Sequence, residues 1–242
     1  MAFRRAPSSH RHSQRRLIRK RKFKSRLERQ ANPYTADEAK REEHFEFYPE
    51  DYFRPLGWPE VFGVDRAGLP IEVDLGAGFG ALSIGLAQMY PDRNILAVER
   101  EGDRVDLICR KAAVEHTENM RVLHLEASYT VEYVLPRDSV AVIHLLFPDP
   151  WPKARHHKRR IVTEGFLSAI WNALTPGGEF RFATDSADYL EWTNERLASS
   201  LASGVWQTMP YPPPEARPQT DFEKTWISLG RELNYLCLRK VM

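Results

Sequence analysis

The chain has 242 residues, of which 42% are hydrophobic, and this is enough for one substantial core. Its formal net charge of +2 hides a division, because residues 1–30 contain twelve Lys and Arg against the single acid Glu28 and carry +11, whereas residues 31–242 carry −9. The basic start is not followed by an apolar run of signal-peptide length, and no stretch approaches a membrane span. These features predict a soluble, cytoplasmic protein and exclude one embedded in a membrane.

Three segments differ in composition. Residues 1–30 have too few apolar groups to fold alone, so they are predicted to form a disordered tail that binds a polyanion, serves only as a solubilising extension, or targets the chain. Residues 31–69 are rich in aromatic residues and proline, and are predicted to be a lead-in segment packed on the core. The chain contains two cysteines, Cys109 and Cys237, whose spacing fits neither a zinc site nor a redox motif. We therefore expect a reducing compartment and no bound metal.

Short apolar runs alternate with amphipathic segments from residue 71 onward. Strands are predicted at Ile71–Leu75, Ile95–Val98, Val122–Leu125, Val140–Leu146, Glu179–Ala183, Val205–Met209 and Leu233–Leu238. Helices are predicted at Leu82–Met89, Asp103–Val114, Tyr129–Val134, Glu164–Leu174, Tyr189–Leu201 and Thr220–Leu229. Alternating strands and helices are typical of parallel strands joined by right-handed crossovers. The predicted fold over residues 70–242 is a Rossmann-like α/β three-layer sandwich with a mostly parallel seven-stranded sheet.

The first predicted strand leads into the turn Asp74-Leu75-Gly76-Ala77-Gly78-Phe79-Gly80. Glycines allow a tight turn and a close approach to a ligand, and Glu99, at the end of the next strand, is spaced to accept hydrogen bonds from ribose hydroxyls. The dinucleotide pattern needs its third glycine three positions after the second, whereas Gly80 follows Gly78 by two. Asp74 would repel a pyrophosphate but suits the cationic end of S-adenosylmethionine. The pattern favours S-adenosylmethionine, with a glycine turn that serves only helix packing as the alternative.

The fourth predicted strand leads into Phe147-Pro148-Asp149-Pro150-Trp151-Pro152, which holds Asp149 between two prolines at the ligand-binding edge of a parallel sheet. The next eight residues, Lys153 to Arg160, contain five Lys or Arg and two His, a density that predicts contacts with phosphates. We therefore predict one acidic group at a site that a polyanion reaches. A proline-stiffened loop followed by a solvated charge run is the alternative.

These motifs together resemble the tRNA (guanine-N7)-methyltransferases, a class I S-adenosylmethionine-dependent family, over roughly residues 70–240. The most specific match is Phe147 to Lys153 with the cationic residues that follow. Gly177-Gly178, Thr184-Asp185 and Thr220-Asp221-Phe222-Glu223 support it. The resemblance implies methyl transfer from S-adenosylmethionine to N7 of a guanine in the variable loop of tRNA, with tRNA as the partner.

The pattern and the resemblance together define the predicted site. The predicted cofactor-binding residues are Asp74, Gly76, Gly78, Gly80, Glu99, Glu126 and Asp149, and Asp149 is also the predicted catalytic acid. The predicted substrate-binding residues are Lys153, Arg155, His156, His157, Lys158, Arg159, Arg160, Asp185, Thr220, Asp221, Phe222 and Glu223.

Several alternatives remain open in the sequence. Thr220 to Glu223 has the Thr-x-x-Glu form of a helix capping box, and Asp185 is a candidate helix N-cap. The glycine turn is also compatible with a methyltransferase acting on another RNA or a small molecule, with an NAD-dependent oxidoreductase, or with a non-catalytic RNA-binding protein. The tRNA species, any partner subunit and the choice between monomer and homodimer are undetermined.

Overall fold

The computed structural model describes residues 44–241, so the predicted basic tail (1–30) and the start of the lead-in (31–43) lie outside the described residues. The strands are β1 (Glu46–Phe47), β2 (Ile71–Leu75), β3 (Asn94–Glu99), β4 (Met120–His124), β5 (Val140–Leu146), β6 (Leu174–Thr184), β7 (Trp206–Met209) and β8 (Asn234–Lys240). The helices are α1 (Trp58–Phe62), α2 (Ala81–Met89), α3 (Gly102–Val114), α4 (Ala127–Tyr129), α5 (Glu164–Ala173), α6 (Ala187–Ala202) and α7 (Asp221–Ser228). No helix in this range combines the length and apolar character that crossing a bilayer requires.

The strands form one sheet in the order β1-β4-β3-β2-β5-β6-β8-β7, in which β8 runs in the direction opposite to that of the other described strands. The sheet within residues 44–241 therefore has eight strands, and the predicted count of seven is wrong. The additional strand, β1, comes from the lead-in segment and pairs with β4. Its two residues are too few for a period-two pattern to be recognised in the sequence.

Helices cover both faces of the sheet, which confirms the three-layer sandwich. Apolar side chains of α2 and α3 form one core cluster with one face, and those of α1, α5 and α6 form a second cluster with the other face. β3 and β5 are buried almost throughout, which explains their largely apolar sequences, and β2 is buried throughout although Glu72 and Asp74 alternate with its apolar residues. The predicted helix Tyr129–Val134 is instead a single α-turn followed by a π-turn, Thr130–Val134.

A buried carboxylate–imidazole contact joins β2 to β5. The Glu72 carboxylate and His144 lie 3.0 Å apart, both side chains are almost fully buried, and Arg93 forms an ion pair with the same carboxylate. Burial alone would raise the pKa of Glu72, but the hydrogen bonds and charges of His144 and Arg93 lower it to about 2. A carboxyl group whose pKa is depressed in the folded state stabilises that state above its unfolded pKa and loses this effect as it protonates.

The loop before α7 packs directly on α2. A Cβ atom added at Gly85 would lie 2.6 Å from Cβ of Pro218, so the loop and the helix meet at a contact that only glycine permits. The Tyr90 hydroxyl also donates to the Ala216 carbonyl at 3.5 Å. Glycine inside a helix costs roughly 0.5–1 kcal/mol relative to alanine. This loop therefore depends on a helix residue that is unfavourable for the helix itself.

We expect the substitution Glu72→Gln to destabilise the protein at neutral pH but to matter less as the pH falls from about 4.5 towards 2. The depressed pKa corresponds to about 3 kcal/mol of stability that the wild-type protein loses in this window. Urea unfolding followed by circular dichroism at pH 7, 5, 4 and 3 measures the difference. Glu101→Gln, at an exposed ion pair with Arg100, is the control. A wild-type-to-variant difference that does not change with pH would contradict this account.

Gly85→Ala should lower the free energy of unfolding by about 1–3 kcal/mol, because the added methyl group overpacks the contact with Pro218. Gly165→Ala, in α5, is the matched control, since its added Cβ meets only Thr163 Oγ1 at 3.9 Å. The control should be stabilising by roughly 0.5–1 kcal/mol through helix propensity alone. Urea denaturation of both variants measures the two signs, and stabilisation by both would show that the loop does not press on α2.

Candidate active site

The candidate site lies at the carboxyl ends of the parallel strands, next to the boundary between β2 and β5. The sheet continues through β3 and β4 on one side of this boundary and through β6 on the other. This is the topological switch point, at which ligands bind in open α/β sheets. A cavity of about 570 Å³ opens here. Four of the predicted acids line it, one from each of the neighbouring strand ends: Asp74, Glu99, Glu126 and Asp149. Their convergence follows from the parallel direction of β2 to β5.

The glycine turn between β2 and α2 has the conformation that its sequence predicts. Gly76, Gly78 and Gly80 all have positive φ angles of 75°, 60° and 79°. At Gly80 a Cβ atom would also lie 2.9 Å from the Ile108 side chain, so this position needs glycine for conformation and for the approach of α3. Gly76 and Gly78 line the cavity, whereas Gly80 lies behind it and shapes the turn.

Glu99 fixes the turn from the neighbouring strand. Its carboxylate accepts hydrogen bonds from the backbone N–H groups of Gly78, Arg100 and Glu101, at 2.9, 2.8 and 2.8 Å. A carboxylate has about four acceptor positions, so one remains for a ligand hydroxyl. The predicted ribose contact is compatible with this geometry and stays a prediction.

Asp74 lies beneath the turn. It is buried, and the Ser83 hydroxyl donates to its carboxylate at 2.5 Å. Burial raises the pKa of Asp74, so the carboxylate would be stabilised by any positive charge brought into the cavity. This favours a ligand with a cationic centre over one with a pyrophosphate, which is the discrimination predicted from the sequence.

Glu126 serves its own helix. Its carboxylate caps α4 by accepting hydrogen bonds from the Ser128 and Tyr129 N–H groups, at 3.1 and 2.8 Å, and from the Ser128 hydroxyl at 2.6 Å. The side chain lines the cavity at the same time. The predicted contact with an adenine amino group therefore has to share a carboxylate that already has a structural role.

Asp149 is exposed at the cavity, and no residue in the described range forms a hydrogen bond or an ion pair with its carboxylate. The residues two positions before and after it, Phe147 and Trp151, have positive φ angles of 54° and 44°. Such conformations cost about 1–3 kcal/mol each in residues other than glycine, and they cluster at functional sites. The Phe147 N–H donates to the Ala183 carbonyl at 2.8 Å, which joins the start of this loop to β6. The structure thus maintains a strained loop around one unpaired acid.

The cationic segment forms a short 3₁₀ turn beside the cavity, from Ala154 to Arg159. Four of its charged side chains are exposed, namely Lys153, Arg155, Lys158 and Arg159, and its two imidazoles, His156 and His157, are half-buried. The Arg159 guanidinium lies 4.8 Å from the centre of the Trp151 ring, and His156 meets the same ring edge-on. Arg160 differs, because its side chain is fully buried and ion-paired with Asp188. Arg160 is therefore not part of the exposed cationic surface, and its predicted contact with the substrate stays a prediction.

The residues before and within α7 form the far wall of the cavity. Thr220, Asp221 and Phe222 line it. Thr220 also caps α7, since its hydroxyl accepts from the Glu223 N–H at 2.9 Å, so this half of the predicted capping box is confirmed. The Phe222 ring lies 3.9 Å from the position of a Cβ on Gly78, which brings this wall against the glycine turn.

Glu223 does not face the cavity. Its buried carboxylate accepts two hydrogen bonds from Arg217, at 2.8 and 2.5 Å, and one from the Tyr235 hydroxyl at 2.7 Å. Burial would raise its pKa, but these bonds hold the pKa of Glu223 below its usual value. Its predicted direct contact with the substrate does not fit this arrangement, and neither does the reciprocal half of the capping box. Its carboxylate instead anchors the loop that carries Thr220.

Asp185 lies outside the residues that line the cavity and forms an ion pair with Arg231 at 3.0 Å. The N-cap of α6 is Ser186, whose hydroxyl accepts from the Tyr189 N–H, so the capping role considered for Asp185 is wrong by one residue. Its predicted substrate contact stays a prediction.

Phe79 and Arg104 are among the residues of the cavity wall that sequence reasoning missed. Phe79, within the glycine turn, is 40% exposed, and the Arg104 guanidinium lies 5.2 Å from the centre of its ring. The available signal was the aromatic residue itself, because a turn built from small residues has no structural need for an exposed ring.

The cavity fits S-adenosylmethionine on three observations. Asp74 would compensate a cationic centre, Glu99 retains one acceptor position, and the glycine turn leaves room for close backbone approach. The cavity volume also lies within the roughly 300–1,000 Å³ range of small-molecule sites.

Known proteins resemble this chain in sequence and in fold. Residues 69–236 match the family model described as "Putative methyltransferase". The tRNA (guanine-N(7)-)-methyltransferase of Halorhodospira halophila is 38% identical over 75% of this chain and 81% of its own length, and that of Aeromonas hydrophila is 33% identical over 81% of each chain.

Solved structures share the fold at low identity. The 16S rRNA methyltransferase KamB matches with a TM-score of 0.54 and 20% identity, over 78% of this chain and 98% of its own. A 16S rRNA adenine-N1 methyltransferase variant from Catenulisporales acidiphilia, solved with S-adenosylmethionine, matches with a TM-score of 0.51 and 16% identity, over 76% and 92%. These two likenesses establish a shared architecture, while the sequence matches establish descent. The chain belongs to the family of tRNA (guanine-N7)-methyltransferases.

Proposed function

We propose that this protein transfers the methyl group of S-adenosylmethionine to N7 of a guanine in the variable loop of tRNA. The observation that carries the proposal is Asp149, an unpaired carboxylate held at the mouth of a nucleoside-sized cavity with exposed cationic side chains immediately after it. Family membership supports the same reaction and removes the dinucleotide-dependent oxidoreductase from consideration.

The cofactor would lie along the carboxyl ends of β2, β3 and β4. Asp74 would balance its positive charge, the glycine turn would accommodate its close approach, and the free acceptor position of Glu99 would take a ribose hydroxyl. Glu126, already engaged with α4, would contribute one acceptor near the adenine. When bound, S-adenosylmethionine supplies the methyl group and the sulfonium charge that makes it reactive.

Asp149 would position the acceptor base. N7 of guanine has a free lone pair, so no proton has to be removed before transfer, and the chemistry depends mainly on alignment. Correct alignment of two reactants can account for about 7–11 kcal/mol of a barrier. The carboxylate of Asp149 can accept hydrogen bonds from N1–H and N2–H of guanine, which holds the base and stabilises the positive charge that develops on it.

The remaining substrate contacts would divide by chemistry. Thr220, Asp221 and Phe222, which line the same cavity, offer the guanosine a hydroxyl, a carboxylate and an aromatic surface. The exposed cations of the Lys153 to Arg159 segment would contact tRNA phosphates, together with the basic residues 1–30. Asp185 would join the substrate only if its ion pair with Arg231 opened.

Asp149→Ala should reduce turnover on unmodified tRNA by about 100-fold or more, because the base loses its orienting carboxylate and its charge stabilisation. Affinity for tRNA should change by less than about twofold, since phosphate contacts dominate it. Methyl transfer from labelled cofactor, with mapping of the modified nucleotide, measures the first effect, and filter binding measures the second. Asp92→Ala, at an exposed site on the opposite edge of the sheet, is the control. Near-normal turnover of Asp149→Ala would refute the assignment, and methylation at a different nucleotide would refute the proposed target.

Replacing Lys153, Arg155, Lys158 and Arg159 together by Ala should weaken tRNA binding and flatten its salt dependence. Each lost phosphate contact should reduce the slope of log affinity against log salt by roughly 0.7–0.9. Titrations of tRNA binding at four salt concentrations measure the slope. Arg137→Ala, at an exposed position just before the amino end of β5, is the control. Deleting residues 1–30 should lower the slope further, and an unchanged slope after that deletion would remove the tail from the interface.

A further inference from the structure

Arg160 ends the cationic segment but is separated from solvent. Its residue surface is 2% exposed and its side chain is fully buried. Moving a guanidinium out of water is costly unless its charge and its N–H groups are compensated. Arg160 is therefore not placed to bind phosphate as the exposed cations before it are, and its burial indicates a different role.

The contacts of Arg160 lead back to the loop that carries Asp149. Its Nε donates to the Pro150 carbonyl at 2.8 Å. Residues 147–152 contain three prolines, which have no N–H group, so this segment has little capacity to organise itself by backbone hydrogen bonds. The bond from Phe147 N–H to Ala183 fixes the loop before Asp149, and the bond from Arg160 fixes it directly after.

Helix α6 holds the Arg160 guanidinium in place. The side chain forms an ion pair with Asp188, and its guanidinium carbon lies 5.0 Å from the ring centres of both Tyr189 and Trp192. Trp192 also donates from its ring nitrogen to the Val162 carbonyl at 2.8 Å, which ties the chain just after Arg160 to the same helix. The planar fork of an arginine can serve an ion pair and a carbonyl at once, whereas the ammonium of lysine is a single point charge.

We propose that Arg160 is the positioning residue of the active site. Its contacts with α6 fix the guanidinium, and its hydrogen bond to the Pro150 carbonyl fixes the loop. The neighbouring Asp149 carboxylate is thereby held in the orientation that methyl transfer needs. This inference rests on the proposed function and adds a residue that touches neither the cofactor nor the substrate. The role differs from that of the exposed cations before it, which would act on affinity.

The first test is Arg160→Met, which keeps most of the side-chain length but removes the charge and the donors. We expect kcat to fall by about 10- to 100-fold, because displacing a reacting group by about 1 Å can cost that much. The dissociation constants for tRNA and for S-adenosylhomocysteine should stay within about twofold, since the phosphate contacts and the cofactor cavity are intact. Arg196→Met is the matched control, because Arg196 lies over the same Trp192 ring, 3.0 Å from its centre, but belongs to α6 and makes no described contact with Pro150.

The second test asks whether Arg160 acts through Asp149. The substitutions Asp149→Asn and Arg160→Met are combined in one variant. Its kcat should lie within about twofold of the kcat of Asp149→Asn alone, because a carboxylate that is absent cannot be positioned. Arg160→Lys covers the case in which Arg160→Met fails to fold. It should bind S-adenosylhomocysteine normally and lose at least about fivefold in kcat. Arg160 serves Pro150 from Nε and Asp188 from Nη2, and the single nitrogen of lysine does not occupy both positions.

The inference is overturned if Arg160→Met, or Arg160→Lys where the first does not fold, has the kcat of the wild-type protein. It is also overturned if the losses from Asp149→Asn and Arg160→Met simply multiply, or if affinity for tRNA falls while kcat is retained. Failure of the proposed function is a separate result, because the wild-type protein itself would then leave the guanine of unmodified tRNA unmethylated.

Discussion

The active site depends on the parallel pairing of β2 with β5 in the middle of the sheet. These strands are buried on both faces, so the helices on either side fix their register. The chain order in the sheet reverses between them, and the cavity lies at their carboxyl ends. Asp74 leaves one strand and Asp149 follows the other, which brings a buried acid and an exposed acid to one cavity. The two carboxylates have opposite surroundings, and their proposed roles, charge compensation and base orientation, follow from that difference.

Two loops close around this cavity, and both rely on a buried arginine. Arg160 donates to the Pro150 carbonyl, and its guanidinium carbon lies 5.0 Å from the centres of two aromatic rings of α6. Arg217 donates to the carbonyls of Pro212 and Pro218, at 3.0 and 3.2 Å, and its guanidinium carbon lies 4.9 and 5.4 Å from the ring centres of Tyr211 and Tyr235. Proline stiffens a loop but removes backbone donors, so a side chain with several donors has to supply them. Neither loop is a strand of the sheet, and the side-chain hydrogen bonds of a buried arginine fix each one instead.

The family assignment and the geometry support each other at different levels. Sequence identity of 33–38% over most of the chain assigns the reaction class, while solved structures at 16–20% identity assign only the architecture. The disposition of individual residues comes from the cavity itself. Glu126 and Thr220 show that one side chain can both cap a helix and line the cavity, because a capped helix start is rigid.

Much of this protein could be predicted from the sequence because the signals are local. The short apolar patterns predicted β2 and β5 with their observed bounds, and glycine at three turn positions predicted a tight turn, in which all three have positive φ angles. Charge density predicted a cationic surface beside Asp149 but could not identify Arg160 as the buried member, because desolvation depends on which distant residues surround a side chain. The same holds for Glu223, whose partners Arg217 and Tyr235 meet it only in the folded chain. Local pattern determined the strands, the turn and the acids, whereas tertiary packing decided which charged side chains line the cavity and which hold the loops.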